Sequence, residues 1–415
     1  MDTQKFSQSP IGNLLAIKGV DGRFGIEYNH FAYTPNPLST IELSLSTPTW
    51  EAIAQATASL ARLDQAGKQI PEPGLLRKPS LSREAQSTSA LEGTYAPLSE
   101  VLQGHPLNSH ALSQDLQEVL NYLRAAEYAF EYVKKERRIS TSLLEKVHGI
   151  LVQGTTSDGM DAGRIRKTQV FIGDEASPIE EARFIPMAPG ILLEAAVQDL
   201  VDWIETSSAL PVVSAAIAHY QFETLHPFND GNGRIGRLLI ALQLLKNNAI
   251  DEPLLTVSPW FEARKELYKD HLARLSATGD WDSWLKFFAE GIKESAEDTI
   301  RRVNRLLGIQ QQYLETLNWY QQKGVIVEVA NLLIGNPFLT TKEAAEKSGR
   351  SIPATDKALK SLVKMGLLQA NESQVYNKRY LAIDVYRTFN APLGTVLDPL
   401  DPLENVILMF SNKKR

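Results

Sequence analysis

The segment from His226 to Arg237 places a histidine, an aspartate and two arginines around a glycine-rich turn, between two apolar helical patterns. Pro227 disfavours continuation of the preceding helix, and Gly231 and Gly233 permit backbone conformations that other residues avoid. Peptide N–H groups can therefore converge at the start of the next helix, where they attract phosphate. The pattern predicts a helix end, a tight anion-binding loop and a helix start.

Arg234 and Arg237 lie three residues apart in the predicted second helix, so both guanidinium groups are expected beside the turn. Paired hydrogen bonds from two guanidinium groups suit a diphosphate or triphosphate better than a carboxylate. A buried stripe is expected on a different face of this helix, formed by Ile235, Leu238, Leu239, Leu242 and Leu245. Without the glycine turn, the two arginines would read as a solvated helix face.

Two further side chains complete the predicted chemistry. Asp230 supplies the hard oxygen that Mg²⁺ prefers when the ion also binds phosphates. His226, with an ordinary pKa of about 6.5, could remove a proton near neutral pH, although a lone histidine here would more often simply end a helix. Together these groups would orient a nucleotide phosphate chain and deprotonate an attacking hydroxyl. A P-loop ATPase is not expected, because no G-x-x-x-x-G-K-[ST] string is present.

The segment resembles the signature of the Fic family, His-Pro-Phe-x-Asp-Gly-Asn-Gly-Arg-x-x-Arg, and matches it at every specified position. The resemblance implies that His226 is the general base and Asp230 the Mg²⁺ ligand. Contacts with ATP and its phosphates are implied for Phe228, Asn229, Gly231, Asn232, Gly233, Arg234 and Arg237. The implied reaction is attack of a target protein's Ser, Thr or Tyr hydroxyl on the α-phosphate of ATP, which leaves AMP on the protein and releases pyrophosphate.

An upstream segment from Thr88 to Gly93 resembles the family's inhibitory motif, [Ser/Thr]-x-x-x-Glu-[Gly/Asn]. Thr88 and Glu92 are one helical turn apart and share a face. The resemblance implies that Glu92 pairs with Arg237 where the γ-phosphate should lie, and repels the triphosphate. Because the motif precedes the signature, the inhibition would be intramolecular and N-terminal. The alternative is an ordinary surface glutamate on a helix.

Two short strand-like pieces, Gln169 to Ile172 and Arg183 to Pro186, predict a small hairpin, the one β element expected in the body. Its position matches the family's flap, which resembles an exposed strand edge that docks the target by backbone pairing. The resemblance therefore places Ile172, Gly173 and Phe184 near the acceptor. A core role for the apolar residues of the flap is equally compatible with the sequence.

Composition narrows the class of protein. The chain has 415 residues, of which 43% are hydrophobic and 22% charged, as in a globular protein of two or three domains. The absence of cysteine excludes disulfides, thiolate nucleophiles and cysteine metal sites. The net charge of -6 gives no general reason to bind nucleic acid. No signal-peptide pattern or membrane-length apolar window is visible, so a cytoplasmic location without membrane attachment is expected.

Apolar residues at three- and four-residue spacing predict a mainly α fold, a Fic helical bundle with a small β-hairpin flap. Helices are expected at 50–65, at 80–91 after a proline-rich break at 71–79, and at 113–136, 140–152, 189–205, 212–225, 233–246 and 281–305. Beyond Lys323, three helices, the polar turn 371–374 and a final strand follow in the order of a winged helix-turn-helix domain.

Five regions are expected from this pattern. They are an N-terminal Fic-associated region at 1–110 with an inhibitory helix at about 80–93, a Fic catalytic core at 111–295, a connecting helix at 296–322, a winged-helix domain at 323–390 and a C-terminal tail at 391–415.

Two other functions remain open at the level of sequence. One is a DNA-binding regulator whose Fic body only senses nucleotide, with Lys357, Lys360 and Lys364 of the candidate recognition helix contacting phosphate. The other is removal of AMP from modified targets, with Glu92 positioning water. Self-modification and a homodimer are both compatible with the resemblance.

Overall fold

The structure is a computed structural model that describes residues 1–21, 24–69, 74–104, 112–174, 176–370 and 378–404. Within these ranges no helix combines the length and the apolar character needed to cross a membrane. The mainly α fold class is confirmed, and small antiparallel sheets accompany the helices.

A β-hairpin near the N-terminus was not expected from the sequence. After the short helix α1 (Thr3–Phe6), strands β1 (Gly12–Asp21) and β2 (Ile26–Pro35) pair in antiparallel register. The Tyr33 N–H donates to the Ile185 carbonyl at 2.9 Å, which joins this hairpin to the predicted flap. The hairpin precedes the helical body, so it adds a β element in a part of the chain for which the sequence predicted none. Only five of the twenty strand residues are buried, so no clean apolar alternation marked the hairpin.

The body consists of helices packed around two buried central ones. Its helices are α2 (Thr47–Lys68), α3 (Gly74–Leu91), α4 (Leu98–Gln103), α5 (Gln114–Glu136), α6 (Thr141–Val152), α7 (Ile191–Thr206), α8 (Pro211–Leu225), α9 (Asn232–Lys246), α10 (Ser258–Glu262), α11 (Lys265–Thr278) and α12 (Trp281–Trp319). Helices α8 and α9 are buried on nearly every side. This burial holds the turn between them rigidly in the core.

Helix α3 begins six residues before the predicted helix start at residue 80, with Pro79 inside it. A proline cannot donate a hydrogen bond to the carbonyl four residues earlier, which here belongs to Leu75. Gly335 packs against that carbonyl, so closely that a Cβ at Gly335 would lie 2.1 Å from the Leu75 oxygen. A tertiary contact thus stabilises a helix start that local sequence rules disfavour. Residues 71–73 of the predicted break lie outside the described residues.

Helix α12 has 39 residues and runs unbroken through the predicted domain boundary at residue 295. Beyond it lie α13 (Val325–Leu333), β3 (Phe338–Thr340), α14 (Thr341–Ser348), α15 (Ile352–Lys364), β4 (Gln369–Ala370), β5 (Arg379–Leu381) and α16 (Ile383–Asn390). The three strands form an antiparallel sheet in the order β3-β5-β4. The predicted polar turn 371–374 lies outside the described residues.

Candidate active site

The turn between α8 and α9 has the backbone conformation that its sequence predicts. His226 ends α8 with φ 51° and Gly231 precedes α9 with φ 75°, both in the left-handed region. The Asn232 side chain closes the turn, because its oxygen accepts from the Phe228 N–H and its amide donates to the Phe228 carbonyl, each at 2.8 Å. The first turn of α9 therefore points its free N–H groups towards the site.

Phe228 anchors this turn instead of facing a nucleotide. Its ring is buried and stacks on His148, with centroids 4.1 Å apart. The Gly163 N–H donates to His148 Nδ1 at 2.9 Å, so the proton is on Nε2, which lies 3.2 Å from the Asp230 carbonyl. The predicted ATP contact of Phe228 is therefore not supported. Asn232 has a similar positioning role, since both of its side-chain groups are already bonded.

His226 is held as a neutral base. Its Nδ1 lies 3.3 Å from the Glu223 carbonyl, which can only accept, so Nδ1 carries the proton and Nε2 is free to receive one. Burial, together with the nearby charge of Arg166, lowers the pKa of His226 to about 4. Arg166 also donates to the His226 carbonyl at 2.8 Å. The imidazole is thus uncharged at neutral pH, with its single proton on Nδ1.

Arg237 is bound to α3 at the position predicted from the sequence. Its Nε donates to Thr88 Oγ1 at 2.7 Å, and its Nη2 donates to the Thr88 carbonyl at 2.9 Å and to Glu92 Oε1 at 2.5 Å. The Arg237 side chain is only 2% exposed. Burial alone would raise the pKa of Glu92, but the charge of Arg237 and its hydrogen bond hold it below the ordinary value. Glu92 is therefore an ionised carboxylate.

The Glu92 carboxylate lies directly over the first turn of α9. A Cβ at Gly233 would be 2.2 Å from Glu92 Oε1, so only glycine leaves room for the carboxylate at this point. A helix N-terminus attracts anions through its unpaired N–H groups and its dipole. Glu92 thus occupies the anion position that the sequence predicted for phosphate, and adjacent Gly93 ends the segment in a left-handed conformation.

Arg234 is paired with carboxylates in this structure. It does not lie on an exposed face of α9, because its side chain is 4% exposed and pairs with Glu118 of α5 at 2.9 Å. Its second amino group lies 3.3 Å from Asp230, so Arg234 remains next to the turn. The guanidinium links α5 to the loop that carries Asp230.

Asp230 stays ionised at the edge of the site. Burial alone would raise its pKa, but Arg234, the Ser157 hydroxyl and the Gly231 N–H together hold it below the ordinary value. The hydroxyl and the N–H each donate to a different Asp230 oxygen at 2.6 Å. Among the described residues no group of three or more metal-ligating side chains occurs. A single carboxylate fits Mg²⁺ that takes its other ligands from phosphates and water.

A cavity of about 700 Å³ brings these groups together. From the predicted site it is lined by Glu92, Gly93, Ile172, Gly173, Phe184, His226, Asn229, Asp230, Gly233 and Arg237. The exposed side chain of Asn229 is held at the rim by a hydrogen bond of 2.8 Å from Thr168. The cavity accordingly joins an imidazole base, a carboxylate, a guanidinium and a helix N-terminus in one space.

The flap is a single bridge and not a pair of strands. Ile172 and Phe184 exchange two backbone hydrogen bonds of 2.9 and 3.1 Å. Phe184 is buried against the rings of Phe6 and Tyr33, at centroid distances of 5.7 and 5.5 Å. Gly173 follows the bridge and packs against the opposite backbone. Phe184 therefore belongs to the core of the flap, and Ile172 and Gly173 face the cavity.

This geometry coincides with two matches to known domains. Residues 50–131 match the Fic/DOC family N-terminal domain, and residues 138–244 match the Fic/DOC family domain, which includes the turn and both arginines. Residues 50–131 and 138–244 of this chain therefore resemble the two domains of the Fic/DOC family. The matched region ends within α9, so the Fic assignment covers α3, the turn and the flap and does not extend to the C-terminal helices and strands.

Curated Fic relatives share part of their length with this chain. Protein adenylyltransferase fic-1 of Caenorhabditis elegans is 30% identical over 223 residues, which cover 51% of this chain and 39% of the relative. A probable protein adenylyltransferase of Aquifex aeolicus is 26% identical over 153 residues, 35% of this chain and 44% of the relative. The chain thus spans less than half the length of either relative.

A crystal structure of a Fic family protein from Desulfovibrio desulfuricans has the same fold. It superposes with a TM-score of 0.51 at 22% identity and covers 82% of this chain and 97% of its own. At this identity the likeness concerns the fold alone.

Several residues of the Fic site carry no signal in the signature. Glu118, Ser157 and Arg166 reach the turn from distant parts of the chain. Glu223 lines the cavity, and its Oε1 accepts no hydrogen bond among the described residues. A charged residue within the otherwise apolar α8 is the one signal that could have identified Glu223. His219 of α8 is buried and bonds the Gly236 carbonyl at 2.9 Å.

Proposed function

We propose that the protein transfers AMP from ATP to a Ser, Thr or Tyr hydroxyl of a target protein, and that it can also modify itself. The observation that carries the proposal is the cavity that His226, with Nε2 free of the Glu223 contact, shares with Gly233 of the first turn of α9 and with Arg237. The names of the curated relatives, protein adenylyltransferases, support the same activity.

The chain's own groups account for the steps of this reaction. The triphosphate lies over the first turn of α9, and its γ-phosphate takes the place of Glu92 on Arg237. The acceptor oxygen attacks the α-phosphorus while His226 Nε2 removes its proton. The bond from the α-phosphorus to the bridging oxygen breaks, and pyrophosphate leaves. The new phosphodiester joins AMP to the target side chain.

Asp230 is the residue that would hold Mg²⁺. Its carboxylate is ionised and reaches the cavity beside the turn, which suits a metal bound jointly with phosphates. Bound Mg²⁺ would supply positive charge to the phosphates of the leaving group. Ser157 would have to release one Asp230 oxygen for this, because its hydroxyl occupies that oxygen in the present conformation.

We further propose that the conformation described here is inhibited. Glu92 fills the site that the γ-phosphate needs, and the buried Arg237 is bonded to both Thr88 and Glu92. A phosphate and a carboxylate cannot share one guanidinium and one helix N-terminus without strong repulsion. ATP would therefore bind productively only when Glu92 is displaced.

The test uses ATP labelled at the α- or the γ-phosphate and a lysate as the source of targets. Glu92→Gly should increase protein labelling from α-labelled ATP at least about tenfold, the size of a modest coupling free energy. Adding His226→Ala should abolish labelling. Glu100→Gly, the same exchange at an exposed glutamate of α4, serves as the matched control and should change nothing.

Other outcomes would overturn parts of the proposal. Labelling from the γ-phosphate alone would indicate a kinase-like reaction. Unchanged labelling in Glu92→Gly would refute the inhibition. Release of AMP from a target labelled beforehand, without transfer to a fresh target, would indicate removal of AMP as the main activity.

We also propose that residues 323–390 form a winged-helix domain with a structural or protein-binding role. Helices α13, α14 and α15 and the three-stranded antiparallel sheet support this domain type, and α16 ends the range. On α15, Lys360 pairs with Asp356 at 2.6 Å, which reduces the positive charge of the face expected to contact DNA. Duplex binding by the full-length protein that weakens with added salt would argue for the DNA-binding alternative.

A further inference from the structure

The chain runs back along α12 after α16, and this segment, residues 390–403, is called the C-terminal strap below. Arg302 of α12 donates to two strap carbonyls at 2.9 and 3.2 Å, and Arg305 donates to two more at 2.6 and 3.3 Å. Gln312 both donates to and accepts from the strap. The strap is therefore bonded to three residues spaced along α12.

One close approach shows that α12 is shaped for the strap. A Cβ at Gly308 would lie 2.0 Å from the carbonyl oxygen of Pro399. Glycine in the middle of a helix is less favourable than alanine. The helix accepts this cost where the strap crosses it.

A buried carboxylate joins the strap to α3. Asp298 of α12 is fully buried and accepts hydrogen bonds from Arg302 at 2.8 Å and from the Gly394 N–H of the strap at 3.1 Å. It also pairs with Arg83 of α3 at 3.3 Å. Burial alone would raise the pKa of Asp298, but the two arginines hold it below its ordinary value. One ionised carboxylate thus connects three parts of the chain.

Helix α3 carries this connection to the active site. Arg83 lies on the same helix as Thr88, which binds Arg237, and Glu92 directly follows that helix. A helix moves largely as a rigid element, so a displacement at Arg83 is felt at Thr88. Glu84 adds a second attachment, since it accepts from the Ser258 N–H at 3.0 Å.

Helix α3 also has space beside it. A cavity of about 360 Å³ lies between the strap and α3, and its lining includes Arg83, Ser87 and Leu393. The helix is therefore not packed tightly against the strap on this side. The ion pair between Arg83 and Asp298 is a polar link between α3 and the strap.

We propose that the C-terminal strap holds α3 in the position from which Glu92 reaches Arg237, so that displacing the strap activates the enzyme. This proposal rests on the proposed function, because it concerns the regulation of the same site. The strap acts through Arg302, Asp298 and Arg83 and touches neither the turn nor the flap.

The main test is Arg302→Gln in the full-length protein, because glutamine cannot bridge the strap carbonyls and Asp298 together. AMP transfer should rise at least about fivefold in the wild-type background. In the Glu92→Gly background the same substitution should change transfer less than about twofold, since the inhibitory contact is already gone. Equal activation in both backgrounds would overturn the proposal, because the strap would then act by another route.

Two further variants guard against simple misfolding. Gly308→Ala displaces the strap while favouring the helix, and it should activate in the same way. Arg301→Gln is the matched control, because Arg301 bonds Asp298 at 3.4 Å and donates no hydrogen bond to the described part of the strap. It should activate less than about twofold. Activation by Arg301→Gln as large as that by Arg302→Gln would contradict a role for the strap.

Hydrogen exchange separates this proposal from the proposed function. In Arg302→Gln the amides of residues 84–91 should exchange at least about threefold faster than in the wild type. Unchanged exchange would refute the proposed role of the strap in holding α3, whatever the effect on AMP transfer. If Glu92→Gly transfers no AMP, the proposed function fails, and the exchange result still decides whether the strap holds α3.

Discussion

Glu118 and the buried Arg234 form an ion pair of 2.9 Å between α5 and the first turn of α9. The same Glu118 oxygen accepts from the Thr94 hydroxyl at 3.0 Å, two residues after Glu92. A single carboxylate therefore restrains both a predicted phosphate ligand and the chain that leaves α3.

Replacing Glu118 by alanine should destabilise the protein by about 3 kcal/mol, because a buried guanidinium would lose its partner. Urea unfolding followed by circular dichroism would measure the loss. Glu127→Ala removes an exposed glutamate of the same helix and should cost less than about 0.5 kcal/mol. Equal costs for the two variants would show that the Glu118 pair contributes nothing.

The rate of AMP transfer should be nearly independent of pH around neutrality. Burial lowers the pKa of His226 from 6.5 to about 4, so the base stays unprotonated down to acidic pH and is lost only when pH falls through that value. Initial rates of Glu92→Gly at saturating ATP, from pH 5 to 8, would test this. A decline with a midpoint near 6.5 would indicate an exposed, unperturbed histidine.

Glu223 should make the folded protein less stable as pH rises. Burial raises its pKa from 4.5 to about 7, although the charge of Arg237 opposes the shift. The folded state therefore holds a proton that the unfolded state has released, and this stabilisation is lost as pH rises through 7. Glu223→Gln should be more stable than the wild type at pH 8 and differ little at pH 4. Urea unfolding at both pH values would measure this. If the carboxyl is solvated, the free energies of unfolding of the variant and the wild type should differ by the same amount at pH 4 and at pH 8.

Asp230→Asn should weaken the binding of ATP only when Mg²⁺ is present. An amide lacks the negative charge that a hard divalent cation prefers. Calorimetric titration with ATP would compare Glu92→Gly with Glu92→Gly/Asp230→Asn. With Mg²⁺ present, the Kd for ATP of the two variants should differ by at least about tenfold, and without Mg²⁺ it should be similar. Ser157→Ala is the control, since it frees an oxygen of the carboxylate and should not weaken binding.

Phe228→Ala should act through stability and not through nucleotide affinity. Removing a buried ring costs about 3–5 kcal/mol, and this ring also supports His148 beneath the turn. Thermal unfolding would show the loss, whereas the KM for ATP of the remaining folded enzyme should change less than about threefold. A large rise in the KM for ATP at unchanged stability would instead support the predicted contact between Phe228 and the nucleotide.

Much of the candidate site could be predicted from local patterns in the sequence. A proline, two glycines and the spacing of Arg234 and Arg237 specify a turn and a helix start, because each constrains the backbone within a few residues. The pairing of Glu92 with Arg237 followed from the motif resemblance, and the structure brings the two within 2.5 Å.

Contacts between distant segments could not be predicted in this way. The N-terminal hairpin is held by Tyr33, whose N–H bonds a residue of the flap, and no local periodicity encodes that partner. The same holds for Glu118, whose burial depends on Arg234 across the bundle. Helix α3 extends through Pro79 because Gly335 packs against it from the C-terminal part of the chain. Propensity gives way to tertiary packing at each of these places.

The carboxylate that blocks Arg237 belongs to the same polypeptide as the site it blocks. Its local concentration is set by the chain and stays constant when the protein is diluted. The proposed inhibition would therefore be equally strong at low and at high protein concentration. Under the proposed inhibition, activation requires displacement of Glu92 from Arg237 and does not follow from a change in the amount of protein alone.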